Sequence, residues 1–208
     1  MLLAQNLRHS YANQFEIVLP DIDCKNKEGI VILGKSGTGK STLLHILSGL
    51  LRPSHGQVNI DGTDIFSLTE AERDIFRKKN IGIVLQKHIF IESLTALENL
   101  NFFLKTATGF SDNKKCLNWM ESLGLGNKSS SMVNNLSQGE LQRLSIIRAM
   151  IHQPKLVLAD EPSSALDDDN ANIVIQLLQE QAAISSAALV IVTHDSRLKT
   201  MFQKQITI

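Results

Sequence analysis

The 208-residue chain has no surplus charge of either sign: 21 Lys and Arg stand against 21 Asp and Glu. A nucleic-acid binder is expected to show a basic excess, so this balance counts against such a partner. Cysteine is scarce. Cys24 and Cys116 lie far apart with no C-x-x-C spacing, which signals neither a zinc site nor a disulfide framework. A reducing cytosol is the expected compartment. No apolar run approaches the ~18 residues of a membrane-crossing helix. The opening Met1-Leu2-Leu3-Ala4 gives way to Gln5-Asn6, too short an apolar run for a signal peptide. Any membrane role is therefore expected to come through a partner chain. Internal repeats and low-complexity tracts are missing, and residues 42–135 show no sustained heptads. A chain of this length with 43% hydrophobic residues fits one large domain, able to bury roughly 70% of its unfolded surface. Asn127-Lys128-Ser129 and Asn135-Leu136-Ser137 match the glycosylation sequon, which means nothing in a cytosolic chain.

What is present is organised around Gly34-Lys35-Ser36-Gly37-Thr38-Gly39-Lys40-Ser41-Thr42. The stretch fits G-x-x-x-x-G-K-[ST], the phosphate-loop pattern. Gly29–Leu33 before it is short, apolar and β-branched, as in a buried strand, and 43–50 after it reads as a helix. That strand–loop–helix setting separates a phosphate loop from a Gly-rich turn that merely starts a helix. Glycines let the backbone wrap so that its N–H groups turn inward on phosphate oxygens. The new helix aims its positive end at the same anion. Lys40 is expected on the β- and γ-phosphates and Ser41 on Mg²⁺.

Along the rest of the chain, Phe15, Ile17 and Leu19 share one face at period two, as in a half-buried strand. Tyr11, in Ser10-Tyr11-Ala12-Asn13, either stacks on an adenine ring or is a half-buried surface tyrosine. A strand over 57–60 ends in the tight turn Asp61-Gly62. Thr69-Glu70-Ala71-Glu72 has capping-box form and opens a helix to about Lys79. Residues 81–85 read as a buried strand delivering Gln86 to its C-terminal end, where ligands are contacted in open α/β sheets. From about 87 to 152 strand signals vanish. Helices are expected after the capping box Thr95-Ala96-Leu97-Glu98, with Leu100, Phe103 and Leu104 as apolar positions, over 111–123, with Trp119 packing, and from Ser137 to about His152. The last third returns to α/β: a strand over 155–159, a helix to about Ala183, and a strand over 187–192 that delivers Thr193-His194-Asp195. The expected fold class is α/β: a phosphate-loop NTPase core with a small N-terminal antiparallel β sub-domain and an inserted helical sub-domain at about 87–152, all within one domain, 1–208.

Strand ends thus supply Gln86, Asp160, Glu161 and His194 on the edge that carries the phosphate loop. An apolar strand ending in Asp is the usual second Mg²⁺ holder of such NTPases, and Glu161 is placed to polarise an attacking water. Two acids capping a strand–helix turn are the alternative for that pair taken alone. Ser137-x-x-Glu140 is a capping box, so Leu136-Ser137-Gln138-Gly139-Glu140 marks a helix start, which is also an anion site.

The order of phosphate loop, Gln86, Leu136-Ser137-Gln138-Gly139-Glu140, Asp160-Glu161, Ser164-Ala165-Leu166-Asp167 and His194 resembles the ATP-binding subunit of ABC transporters over essentially the whole chain. Gly39–His45 and Leu94-Thr95-Ala96-Leu97-Glu98-Asn99 are similar to the group that includes lipoprotein-release, macrolide-export and cell-division ATPases. The resemblance implies two copies holding two ATP molecules head to tail, each between the phosphate loop of one and Ser137 and Gly139 of the other. It implies Tyr11 on adenine, Gly34 to Thr42 around the phosphates, and Mg²⁺ held by Ser41, Gln86 and Asp160. Glu161 is then the general base, His194 contacts the γ-phosphate, Gln86 senses the membrane partner and Asp167 crosses the dimer interface. The partners implied are a second copy and an integral membrane permease, with the chain peripheral on the cytoplasmic face of the cell membrane and no nucleic acid bound. The pentapeptide departs from the usual Leu-Ser-Gly-Gly-Gln at Gln138 and Glu140. Glu140 either faces a phosphate, at a repulsion of roughly 1–4 kcal/mol at ~4 Å, or folds back onto its own cap.

Other readings diverge only downstream of ATP. One is a regulator that signals through a membrane protein without moving cargo. Another is a soluble ABC ATPase on ribosomes or DNA, against which stand the single set of motifs, the missing coiled coils and the neutral charge. Asn26-Lys27-Glu28-Gly29 starts like the guanine-specifying N-K-x-D without its Asp, which counts against a GTPase. The tail after His194 is expected to hold no added regulatory domain. Ile89-Phe90-Ile91 is either part of the partner contact or a buried core turn.

Overall fold

The computed structural model describes residues 1–11, 16–164 and 166–208, with the side chains of Asp168 and Asp169 left aside. Phe15, Ala12, Asn13 and Ala165 of the readings above fall outside the described residues. The chain opens with β1 (Leu2–Ser10), β2 (Glu16–Val18), β3 (Ile22–Cys24) and β4 (Gly29–Leu33). Then come α1 (Lys40–Leu47), β5 (His55–Ile60), β6 (Thr63–Asp64), α2 (Glu70–Asn80) and β7 (Ile81–Val84). The helices α3 (Ala96–Thr108), α4 (Asn113–Ser122) and α5 (Gln138–Met150) follow, with short 3₁₀ turns at Gly126–Lys128 and Val133–Asn135. The chain closes with β8 (Leu156–Asp160), α6 (Asp168–Ile184), β9 (Ala188–Thr193), a 3₁₀ stretch at Ser196–Met201 and β10 (Lys204–Thr207).

Two sheets form. One is parallel, in the order β10-β4-β9-β8-β7, and the other is antiparallel, with β1 pairing β2, β3 and β5, and β5 pairing β6. Strands β4, β9, β8 and β7 of the parallel sheet are buried on both faces, which is why they read as continuous apolar runs. Along β4, Val31 and Leu33 enter one core while Ile30 and Ile32 enter the other. Strand β8 divides likewise, with Val157 and Ala159 on one side and Leu156 and Leu158 on the other. The first core is closed by α3, α4, α5 and α6, through residues such as Leu100, Met120, Ile147 and Leu178. The second is closed by α1 and the antiparallel sheet, through Leu43, Ile46, Leu7 and Val58. In the segment that runs from the end of β7 to the start of β8, the strand-type pairing among the described residues is one antiparallel bridge, Thr95 to Met132. The α/β architecture with a small antiparallel sheet and an inserted run of helices agrees with the expected fold class.

Three differences from the sequence reading have local causes. Strand β1 escapes a period-two reading because its register shifts between Gln5 and Arg8, and Asn6 has φ +52°. Such a bulge switches the inward side from Leu2 and Ala4 to Leu7. The helix after the loop begins at Lys40, three residues before the expected start, and ends before Gly49 at φ +72°. Strand β10 was not expected: it is four residues long at the sheet edge, and its alternation is only half apolar. The close approach of β7 to α5 requires glycine at position 82, where a Cβ would lie 1.9 Å from the Ala149 carbonyl oxygen.

Candidate functional site

Parallel pairing brings the C-terminal ends of β4, β9, β8 and β7 to one edge of the sheet. The phosphate-loop segment leaves β4 there and enters α1 through Gly39, whose φ of +99° suits a residue without a side chain. No side chain caps this helix start, which leaves its first-turn N–H groups without a side-chain acceptor. Helices α2, α3 and α5 instead begin with complete capping boxes at Thr69, Thr95 and Ser137, as their sequences predict. Lys40 is buried, and its Nζ donates to the carbonyl oxygens of Gly34 at 2.7 Å and Lys35 at 2.9 Å. Thr38 Oγ1 also donates to the Lys35 carbonyl, at 3.0 Å, which tightens the loop.

A cleft of about 840 Å³ opens on the loop. It is lined by Lys35, Ser36, Gly37, Gly39, Lys40, Ser41 and Thr42 of the loop and first helical turn, by Gln86, Asp160, Glu161 and His194, and by Tyr11 and Ile17. The half-exposed Tyr11 is tethered, its hydroxyl 2.6 Å from Thr42 Oγ1 and its ring edge-on to His9 at 4.7 Å. Sequence reasoning thus placed all of these but Ile17 at the site.

Glu161 is the hub of the strand-end group. Its backbone φ of +47° is unusual for a residue with a side chain. Its Oε2 accepts from Thr193 Oγ1 at 2.7 Å, and the His194 N–H donates to the same carboxylate at 3.1 Å. His194 Nδ1 lies 2.8 Å from Oε1, and Lys40 Nζ 3.9 Å from it. The carboxylate is inside, with 10% of its side chain exposed, while the imidazole points outward at 63%. Thr193, fully buried, is the residue whose role the sequence left unread; its hydroxyl becomes meaningful only once β9 lies beside β8. Asp160 sits half-buried next to this group. Burial and the neighbouring Glu161 charge push its carboxyl above the usual Asp range, against the opposing pull of His45 and Lys40. Gln86 is exposed, its Nε2 3.4 Å from Ser164 Oγ. The Ser41 hydroxyl, the Gln86 amide oxygen and the Asp160 carboxylate are hard oxygen donors on one cleft, a set that fits Mg²⁺.

Ser137 and Gly139 are not among the residues lining this cleft; they stand at the start of α5. The open question about Glu140 is decided by the fold. Its Oε2 accepts from the Ser137 N–H at 2.8 Å, and its Oε1 lies 3.1 Å from Lys128 Nζ. The Ser137 N–H and Lys128 hold this carboxyl below the usual Glu range. Neighbouring Gln138 lines a second hollow of about 690 Å³ that shares Gln86, Glu161 and His194 with the first. His88, on the same hollow, has its Nδ1 3.1 Å from Ser145 Oγ on α5. Asp167 caps α6, accepting from the Asn170 N–H at 2.9 Å.

The segment after Gln86 is in part the core turn that one of its sequence readings expected. Phe90 packs against the core, and Arg148 stacks on it at 5.3 Å and donates to the Ile89 carbonyl. The fully buried Asn99 accepts from the Ile91 N–H at 2.8 Å and donates to the carbonyls of Ile91, Leu94 and Thr95. Ile89 itself faces outward, 54% exposed. No helix among the described residues is long and apolar enough to cross a membrane.

Comparison with known proteins agrees with this geometry. A profile of the family described as ABC transporter matches residues 20–164, well over half of the chain. The lipoprotein-releasing system ATP-binding protein LolD of Shewanella oneidensis is 39% identical over 196 residues, spanning 91% of this chain and 84% of that protein. The LolD of Legionella pneumophila is 39% identical over 205 residues, spanning 95% and 90% respectively. Among solved structures, the dimeric post-hydrolysis state of the ATP-binding cassette MJ0796 bound to ADP and Pi has a TM-score of 0.87 at 30% identity, covering 100% of this chain and 94% of that one. A dimeric structure of MJ0796 described as a bacterial ABC transporter cassette gives the same values.

Proposed function

The chain belongs to the ABC transporter family of ATPases, and from that premise we propose that it powers a membrane-embedded partner that releases lipoproteins. The observation that carries the reading is the convergence of Gln86, Asp160, Glu161 and His194 on the cleft that Lys35, Lys40 and Ser41 of the phosphate-loop segment also line. Relatives named for lipoprotein release, similar over nine-tenths of the chain, support the finer assignment.

On this reading the chain is one cassette, 1–208, with the helices of about 87–152 as an inserted sub-domain. The Gly34 N–H is spent on the Thr193 carbonyl at 3.2 Å, so N–H groups of the loop beyond it, up to Thr42, and the Lys40 ammonium hold the ATP phosphates, and Tyr11 stacks on adenine. Ser41, Gln86 and Asp160 hold Mg²⁺, which supplies charge neutralisation on the phosphates. Glu161 takes a proton from the water that attacks the γ-phosphorus as the bond to the β-phosphate oxygen breaks. The Thr193 hydroxyl and the His194 N–H fix the carboxylate that does so. His194 contacts the γ-phosphate. Ser137 and Gly139 of a second copy close over the nucleotide head to tail, and Asp167 lies at the interface between copies. Binding closes the pair and hydrolysis opens it, and Gln86 relays the change to an integral membrane chain on the cytoplasmic face, near the outward-facing Ile89.

The test has two stages. Glu161→Gln with ATP is purified from detergent-solubilised membranes, and a co-purifying polytopic chain is identified. The partner is then reconstituted with the unsubstituted chain, Glu161 in place, in vesicles carrying an acylated protein. ATP-dependent release of the acylated protein supports the proposal. A partner that stimulates hydrolysis without releasing it would replace transport by signalling, and recovery of ribosomal or nucleic-acid-associated proteins alone would end the membrane reading.

A further inference from the structure

We propose that Lys128 is a positioning residue for nucleotide capture at α5. It holds the Glu140 carboxylate in the helix cap and cancels its charge, so that an acid is tolerated inside the segment that receives the second copy's ATP. The inference rests on the head-to-tail reading above.

A helix start leaves four N–H groups without intrahelical acceptors. In α5 these belong to Ser137, Gln138, Gly139 and Glu140, because Leu141 is the first to bond back, to the Ser137 carbonyl at 2.9 Å. The capping box takes two of them: Ser137 N–H donates to Glu140 Oε2 at 2.8 Å, and Glu140 N–H to Ser137 Oγ at 3.3 Å. The Gln138 and Gly139 N–H groups stand outside the box. Beyond its chain neighbours and its own helix backbone, a Cβ at Gly139 would meet only Arg143 Nη1, at 3.7 Å, so no other element covers the helix start at this position. These are the donors an anion meets at a helix N-terminus.

The box needs only one oxygen of Glu140. The other, Oε1, is the one 3.1 Å from Lys128 Nζ. The two side chains are 34% exposed for Lys128 and 17% for Glu140, so solvent screens the pair only in part. Lys128 is also set in place by its backbone. It ends the 3₁₀ turn Gly126–Lys128, its N–H donates to the Leu125 carbonyl at 2.9 Å, and its carbonyl accepts from Ser131 at 3.0 Å. Leu125 is fully buried, which anchors that turn in the core. The lysine therefore arrives from a different element, twelve positions before Glu140, with its ammonium on the carboxylate oxygen that the cap leaves over. Without it, a full negative charge sits within one turn of the donors that must accept a phosphate.

The experiment uses the full chain in a Glu161→Gln background and reads two quantities. One is ATP-driven dimerisation by analytical ultracentrifugation at low and high salt. The other is affinity of the dilute monomer for a fluorescent ATP analogue. Lys128→Met is expected to weaken dimerisation roughly tenfold at low salt, the order of effect of one uncompensated charge near an anion site. Monomer affinity is expected to stay unchanged, because the phosphate loop lies elsewhere. Lys128→Arg is expected to retain dimerisation. The double variant Lys128→Met/Glu140→Gln is expected to recover it, since no charge remains to cancel. Dimerisation of Lys128→Met equal to that of its parent overturns the proposal, and so does a double variant as weak as Lys128→Met, which would make Lys128 a packing residue. If the parent forms no ATP-dependent dimer at all, the head-to-tail reading falls and takes this inference with it.

Discussion

The Glu161 carboxylate is held by the residue that follows the neighbouring strand: His194 donates its backbone N–H to it at 3.1 Å and places ring Nδ1 2.8 Å from Oε1. Register explains the meeting. Asp160 pairs with Val192 across β8 and β9, so the next residue of each strand, Glu161 and Thr193, emerge side by side with His194 just beyond. The carboxylate is thereby held from two directions, the preorganisation that the general base proposed above requires.

Replacing Glu161 by Gln keeps an oxygen for the Thr193 hydroxyl and the His194 N–H while removing the proton acceptor. Turnover is expected to fall at least ~100-fold with ATP binding retained. Steady-state phosphate release and equilibrium nucleotide binding check the two halves, and an unchanged rate would remove Glu161 from its role.

Lys40 brings the one buried ammonium of the loop to its own carbonyls. Lys40→Ala is expected to lose nucleotide binding, because the loop then offers only N–H dipoles to a polyphosphate. Calorimetric titration with ATP tests this, and retained affinity would argue against the loop's assigned task.

Tyr11 allows ring and hydroxyl to be separated. Tyr11→Phe keeps the aromatic face and loses the contact to Thr42 Oγ1, whereas Tyr11→Ala loses both. Stacking of a base on an aromatic ring is worth about 1–3 kcal/mol, so Ala is expected to weaken ATP binding by that amount and Phe by much less. Equal affinities for all three proteins would return Tyr11 to the status of a surface residue.

Asp160 carries a pH signature. Its carboxyl is raised in the folded protein, chiefly by burial. The folded state then holds the proton more tightly than the unfolded chain. The associated stability is present below the unfolded value of about 3.9 and is lost as pH rises through the folded value. Asp160→Asn is therefore expected to raise the melting temperature at pH 7, measured without nucleotide and with chelator, and to change it little near pH 4. An identical shift at both pH values would contradict the raised carboxyl. The same variant is expected to bind Mg²⁺–ATP more weakly.

Much of the architecture was legible because buried parallel strands announce themselves. Strands β4, β7, β8 and β9 read as short apolar runs, and Thr69, Thr95 and Ser137 announce helix starts through capping boxes that all form. Strand β1 was illegible for the opposite reason: its bulge at Asn6 breaks the alternation that would have revealed it. The start of α1 was placed late because Lys40, Ser41 and Thr42 serve the loop and the first helical turn at once.

The sequence on its own determined which chemistry is carried and in what order: a glycine-rich phosphate loop, strand-end carboxylates, a capped helix start and a histidine after the last buried strand. These are local matters of residue type and spacing, so they survive without coordinates. Tertiary structure decided which atoms meet. The grip of Thr193 and His194 on Glu161 depends on the β8–β9 register. The resting place of Glu140, facing a phosphate or folded onto its cap, was open in the sequence and closed by Lys128, which arrives from a turn on another element. No spacing rule encodes a contact between a loop lysine and a helix glutamate, because only the packing of α4 and its following turn against α5 brings the two charges together.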